Sequence, residues 1–275
     1  MTWAGAALAV VALACNLPNV VPTPTNPPPQ ATGTSPPPVS PAQPPADPTR
    51  SARPTATATE LVPSSMPPAP VANIDALLRT CPGEAELGRL EVDFEIVFDP
   101  AVALPPYACV DGRGADGMVN PRLTVYQALR AVNALRFDAP LPWTDLSLYD
   151  WLGEAIDGLV LTTTDVSYCC DEGNRIVLKA DLLSQPQLAV WYEASSGIGL
   201  MGLVGLMVHE ARHAEIGGHT CGNDDQTLGE LGAWGVQYWL FTWMAEHAPA
   251  GLLSEEQAAA AQMHAQTALA RICNP

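Results

Sequence analysis

The run from Gly197 to Val208 carries no charge and is apolar on every side, and it leads straight into His209-Glu210-Ala211-Arg212-His213. A segment that is apolar all round reads as a buried helix, not as one that shows a face to water. It opens at Ser196 or Gly197 and should stop at Gly217-Gly218, a strong C-terminal signal. On a continuous helix His209 and His213 stand at i and i+4 and stack on one face. Two imidazoles and a carboxylate at the end of a buried helix need partners, because an unpaired buried polar group costs about 1–3 kcal/mol. A metal ion supplies them: both rings can reach one ion through a nitrogen about 2.0–2.1 Å away. Glu210 projects close to the same ion, where a carboxylate takes a proton from the water that the ion activates.

A catalytic zinc takes three protein ligands and keeps one position open. Two residues compete to be the third. Glu230 is the only charged residue in the apolar segment Leu228–Leu240, with Gly229, Gly232 and Ala233 around it. A helix over about Thr227–Ala245 would set its carboxylate opposite the histidines. Thr227-Leu228-Gly229-Glu230 also matches a capping box, in which the glutamate serves a backbone N–H instead. His219, ten residues after His209, is the alternative ligand.

The stretch Gly197–Tyr238 resembles the gluzincin type of zincin metallopeptidase, through H-E-x-x-H and a following Glu-Gly-Leu-Ala-x-Tyr-like segment in which Glu230, Ala233 and Trp234 take part. The resemblance implies an α+β fold, zincin-like, with a small twisted sheet, an active-site helix and a second ligand-bearing helix. It implies Zn2+ on His209, His213 and Glu230, Glu210 as general base, and a peptide or protein substrate. The place of His219 is that of the third histidine in metzincins. That family has glycine three residues after the second histidine, where this chain has Ile216 with Gly217 and Gly218 behind it. If His219 is not a ligand, it reads as a donor to a developing oxyanion or as a loop residue beside Cys221. Two readings outside catalysis stand beside this one. One is a surface lipoprotein domain with a closed structural zinc on His209, His213, His219 and Glu230. The other is a metal-free domain held by disulfides.

The N-terminus points to export. Trp3–Ala14 is apolar, too short to span a bilayer, and ends Ala12-Leu13-Ala14-Cys15. This ending resembles the lipobox of bacterial lipoproteins, in which Cys15 is lipidated, although no Lys or Arg precedes the apolar run. A secreted protein is the alternative if Cys15 is not modified. Residues 16–72 are rich in Pro, Thr, Ser and Ala and read as an extended spacer without a core. Residues 73–275 form the domain. With Cys15 set aside, Cys81, Cys109, Cys169, Cys170, Cys221 and Cys273 are disulfide candidates suited to an oxidising compartment. The adjacent Cys169 and Cys170 are expected to take different partners. A net charge of −17 with a single lysine, Lys179, argues against nucleic acid, and a lipid anchor would have to supply any membrane attachment.

Within the domain, Ile74–Arg79 reads as a short helix, and Leu90–Phe98 as a strand through its alternation of Leu90, Val92, Phe94, Ile96 and Phe98. Thr124–Leu135 and Asp145–Ile156 read as helices, the second with a cap near Ser147. Leu159–Thr163 and Arg175–Lys179 read as strands joined by the cysteine pair. Ser254-Glu255-Glu256-Gln257 opens a final helix that Cys273 staples. Asn223, Asp224 and Asp225 read as turn and cap residues, with the option of orienting a zinc histidine. Arg212 reads as a surface ion pair and His247 and His264 as structural or exposed. Tyr192 and Tyr238 read as core residues with the option of an oxyanion role.

Overall fold

A computed structural model describes residues 71–275 apart from Asp116, Ser195, Ser196 and Ile198. The leader and lipobox at 1–15, with Cys15, and nearly all of the 16–72 spacer lie outside the described residues. Asn73 starts the first helix, α1 (Ile74–Leu78), by accepting the Asp75 and Ala76 amides on its side chain. Next come α2 (Glu84–Asp93) and β1 (Glu95–Phe98). The expected strand over Leu90–Phe98 is therefore a helix for its first half. Leu87, Leu90 and Phe94 recur at helical spacing. Phe94 and Leu90 are buried, whereas Val92, which a strand would turn inward with them, is 85% exposed. Two periodicities fit these residues, and the chain takes the helical one as far as Asp93.

Asn120 caps α3 (Pro121–Ala134) and Ser147 caps α4 (Leu148–Ala155), each accepting an amide of its first turn. Strands β2 (Gly158–Thr162) and β3 (Arg175–Lys179) complete a parallel sheet of order β1-β2-β3. Then follow α5 (Ala180–Leu183), a 3-10 turn over Pro186–Ala189, and the long α6 (Leu200–Ile216). The rest of the chain is β4 (Asp225–Thr227), a 3-10 turn over Leu228–Glu230, α7 (Ala233–Glu246), α8 (Glu255–Leu269) and β5 (Ile272–Asn274), with β4 and β5 paired in parallel. The architecture is α+β. No helix among the described residues is long and apolar enough to cross a membrane.

As its composition demands, α6 runs through the core, against α3, α4, α7 and β3. Leu200, Met201, Val204, Met207 and Val208 are all but inaccessible. Gly205 lets α7 come close: a Cβ there would fall 2.4 Å from the Phe241 ring.

Among the described residues three disulfides form: Cys81–Cys109, Cys221–Cys273 and Cys169–Cys170. The expectation that the adjacent cysteines take different partners is overturned. Both of their flanks are tied to β3. Tyr168 exchanges two backbone hydrogen bonds with Val177, and the Asp171 amide donates to the Arg175 carbonyl. The pair is thereby held away from the other four cysteines, which bond among themselves. Such bridges fit an oxidising environment.

Candidate metal centre

The last two turns of α6 carry His209 and Glu210, 2% and 5% exposed, and His213 one turn further on. Gly217 ends the helix with φ 79°, a left-handed conformation that suits glycine, and the chain doubles back. His219 is thereby returned to the α6 histidines. One ligand atom from each of His209, His213 and His219 lies within 4.8 Å of the others, a group able to hold a metal ion.

All three rings are oriented from behind. His209 Nδ1 faces Gln237 Oε1 at 3.1 Å, His213 Nδ1 faces the Gly217 carbonyl at 2.5 Å and His219 Nδ1 faces Asp225 Oδ1 at 2.9 Å. Oxygen acceptors at every Nδ1 place the proton there and leave the three Nε2 lone pairs free to ligate. Trp234 walls the group, its ring 4.3 Å from that of His209 and nearly parallel to that of His219. Neutral rings are what a metal requires. Burial, then the neighbouring His213 and His219, pushes His209 down to about 3, and burial lowers His213 as well.

Asp225, 1% exposed, takes more than the bond from His219. Its Oδ2 accepts the Trp234 amide at 2.7 Å and the Gly235 amide at 3.2 Å, at the N-terminus of α7. Burial pushes its carboxyl up, but the bonds from His219, Gly235 and Trp234 outweigh that and hold it below the usual carboxylate value. Gly232 makes room, since a Cβ there would fall 2.3 Å from Asp225 Oδ2.

Glu210 Oε2 accepts the Cys169 amide at 2.9 Å. Burial raises its carboxyl to about 7, with that one hydrogen bond opposing the rise. A dication held by the adjacent histidines would favour the charged form and draw the value back down.

Glu230 does not join the histidines. α7 begins only at Ala233, Leu231 is left-handed at φ 53°, and Glu230 sits exposed in the short turn before it. Its Oε1 accepts the Thr220 hydroxyl at 2.6 Å, the Gln226 amide at 2.6 Å and the Thr227 amide at 3.2 Å. The capping-box alternative describes this placement. Glu230 fastens the loop on which His219 rides.

Arg212 pairs with Glu215 as expected, but it also donates to the Leu231 carbonyl at 2.8 Å, joining α6 to the segment before α7. Tyr192 and Tyr238 pack against the core. His247 faces Asp138, and His264 stacks on Phe241. Sequence reasoning missed Gln237 and the wall role of Trp234. Gln237 did leave a signal, as the single amide side chain within the apolar run Ala233–Met244.

No protein-family model, curated protein or solved structure matches the chain.

Proposed function

We propose that the protein is a zinc-dependent peptidase of zincin-like architecture that works outside the cytoplasm. The observation that carries the reading is the convergence of His209, His213 and His219, each with Nδ1 against an oxygen, beside the buried carboxylate of Glu210. Three nitrogen donors, with no fourth ligand in the group among the described residues, suit zinc with one coordination position open. Held there, zinc supplies a Lewis acid that brings the pKa of water to about 7. Glu210 takes the proton of the attacking water and hands it to the leaving amine nitrogen. The Asp225 and Gln237 acceptors keep His219 and His209 in their ligating tautomers. A closed structural zinc would need Glu230, whose Oε1 already serves Thr220, Gln226 and Thr227, and this supports the open site. The ligand spacing that fits is the metzincin one, with Gly217 supplying the turn. The disulfides support an exported protein, and Ala12-Leu13-Ala14-Cys15 supports a lipid anchor at Cys15 with residues 16–72 as its tether.

The test is zinc content together with hydrolysis of a mixed-sequence fluorogenic peptide library, for the wild type and Glu210→Gln. Both should hold about one zinc per chain, and the variant should lose about 10²–10⁴-fold in rate. A folded wild type without zinc, or a variant that hydrolyses as fast as the wild type, would sink the proposal.

A further inference from the structure

The amide that holds Glu210 belongs to the residue that opens the Cys169–Cys170 bridge. The bridge joins neighbours in sequence, so it closes no long loop and contributes little by restricting the unfolded chain. Its effect is local: it fixes the backbone of the two residues between Tyr168, bonded to Val177, and Asp171, bonded to Arg175. The Cys169 N–H is thereby aimed across at α6, onto a carboxylate that is 5% exposed. Both cysteines are half-buried and within reach of a small reductant.

We propose that the Cys169–Cys170 disulfide is a positioning element for Glu210, which makes the metal centre sensitive to the oxidation state of this one bridge. The link between bridge and carboxylate stands on geometry alone; its effect on turnover rests on the peptidase reading. A dithiol opens the bridge by thiolate attack on one sulfur, which forms a mixed disulfide. Its second thiolate then displaces the remaining cysteine sulfur. The dithiol leaves as its own disulfide, two electrons lighter, and Cys169 and Cys170 each end as a thiol with one proton. The released residues regain backbone freedom, and Glu210 loses its fixed donor.

Coupling is reciprocal, so if the bridge holds Glu210 then Glu210 favours the bridge by the same factor. The full chain is equilibrated with graded ratios of reduced to oxidised dithiothreitol and alkylated. Mass spectrometry then reads each bridge separately, with Cys81–Cys109 and Cys221–Cys273 as internal references. Glu210→Ala should make Cys169–Cys170 easier to reduce by about threefold to tenfold, the scale of one ordinary hydrogen bond. Tenfold corresponds to about 30 mV. Glu210→Gln keeps an acceptor oxygen and should fall between the two. Equal exchange constants for wild type and Glu210→Ala would overturn the proposal, whatever the protein hydrolyses. If the wild type hydrolyses nothing, the exchange constants still decide the coupling and only the peptidase reading fails. Where it is active, the double variant Cys169→Ser/Cys170→Ser should keep its zinc and its KM but lose at least about tenfold in kcat. Undiminished kcat would overturn the dependence of turnover on the bridge.

Discussion

Helix α6 and the segment from Gly217 to Gly232 both bring histidines to the candidate metal centre, by opposite means. In α6 the helical period does the placing: His209 and His213 are one turn apart, and the core around the helix up to Ala211 holds it in place. The later segment has only the short β4 and one 3-10 turn, and little core. Its His219 is held by particular bonds, to Asp225 behind it, through Thr220 to Glu230, and through Cys221 to Cys273. A ligand on a buried helix is insensitive to any single neighbour. A ligand on a loop is only as firm as each of its ties.

The largest expected effects test whether both regions belong to one site. His213→Ala and His219→Ala should each weaken zinc by more than the 10–100-fold typical of a residue that only orients a ligand, as read by chelator competition. Wild-type affinity in the His219 variant would remove the segment from the site. Next is the pair of long-range bridges. Opening Cys221–Cys273, with a sequence separation of 52, should cost about 4 kcal/mol in urea unfolding on the chain-entropy account and should weaken zinc as well. Opening Cys81–Cys109 should cost slightly less and leave zinc affinity alone. If the two variants bind zinc equally, the bridge is not one of the ties on His219. Asp225→Ala should then weaken zinc by about 10–100-fold, more than Gln237→Ala does, because α6 keeps His209 in place without its amide. The reverse order would contradict the comparison.

A smaller effect separates buried histidines in general from the metal centre. Burial holds His264 below its ordinary value of 6.5, against a backbone bond to Gly197. The folded state therefore binds this proton less readily than the unfolded state. The associated stability is complete above pH 6.5 and falls as the pH drops through that value towards the lower folded one. Melting midpoints of the metal-free protein should fall less between pH 7.5 and 5 in His264→Gln than in the wild type; equal falls would count against it. The smallest change belongs to Glu230→Gln, which keeps an acceptor for the loop. Zinc affinity should stay the same and stability should move by no more than about 1 kcal/mol. A clear loss of zinc would return Glu230 to the ligand set.

The same contrast explains what could be read from the sequence. Periodicity and burial made α6 legible, because a charge-free run leaves its few polar groups no other explanation. The cap at Ser147, the capping box at Ser254 and the strand Arg175–Lys179 were legible for similarly local reasons. His219 was visible through its spacing, but its delivery depends on a backbone turn at Gly217 that no side-chain pattern announces. The helix expected from about Thr227 was misplaced because two local patterns overlap at Glu230: an apolar helix and a capping box. The left-handed Leu231 resolved them by delaying α7 to Ala233. The pairing of Cys169 with Cys170 depends on how β3 holds both flanks, a tertiary fact that spacing does not contain.

The ties on His219 converge on residues 271–274. Cys273 closes the bridge to Cys221, β5 pairs with β4, and Arg271 bonds to Asp224 while its guanidinium lies over Trp234. Cys273 lies 52 residues after Cys221, so a chain that emerges N-terminus first presents His209, Glu210 and His213 well before the clasp for His219 exists. The placing of His219 beside the α6 histidines then waits on a segment made well after all three and on the oxidation that joins Cys273 to Cys221.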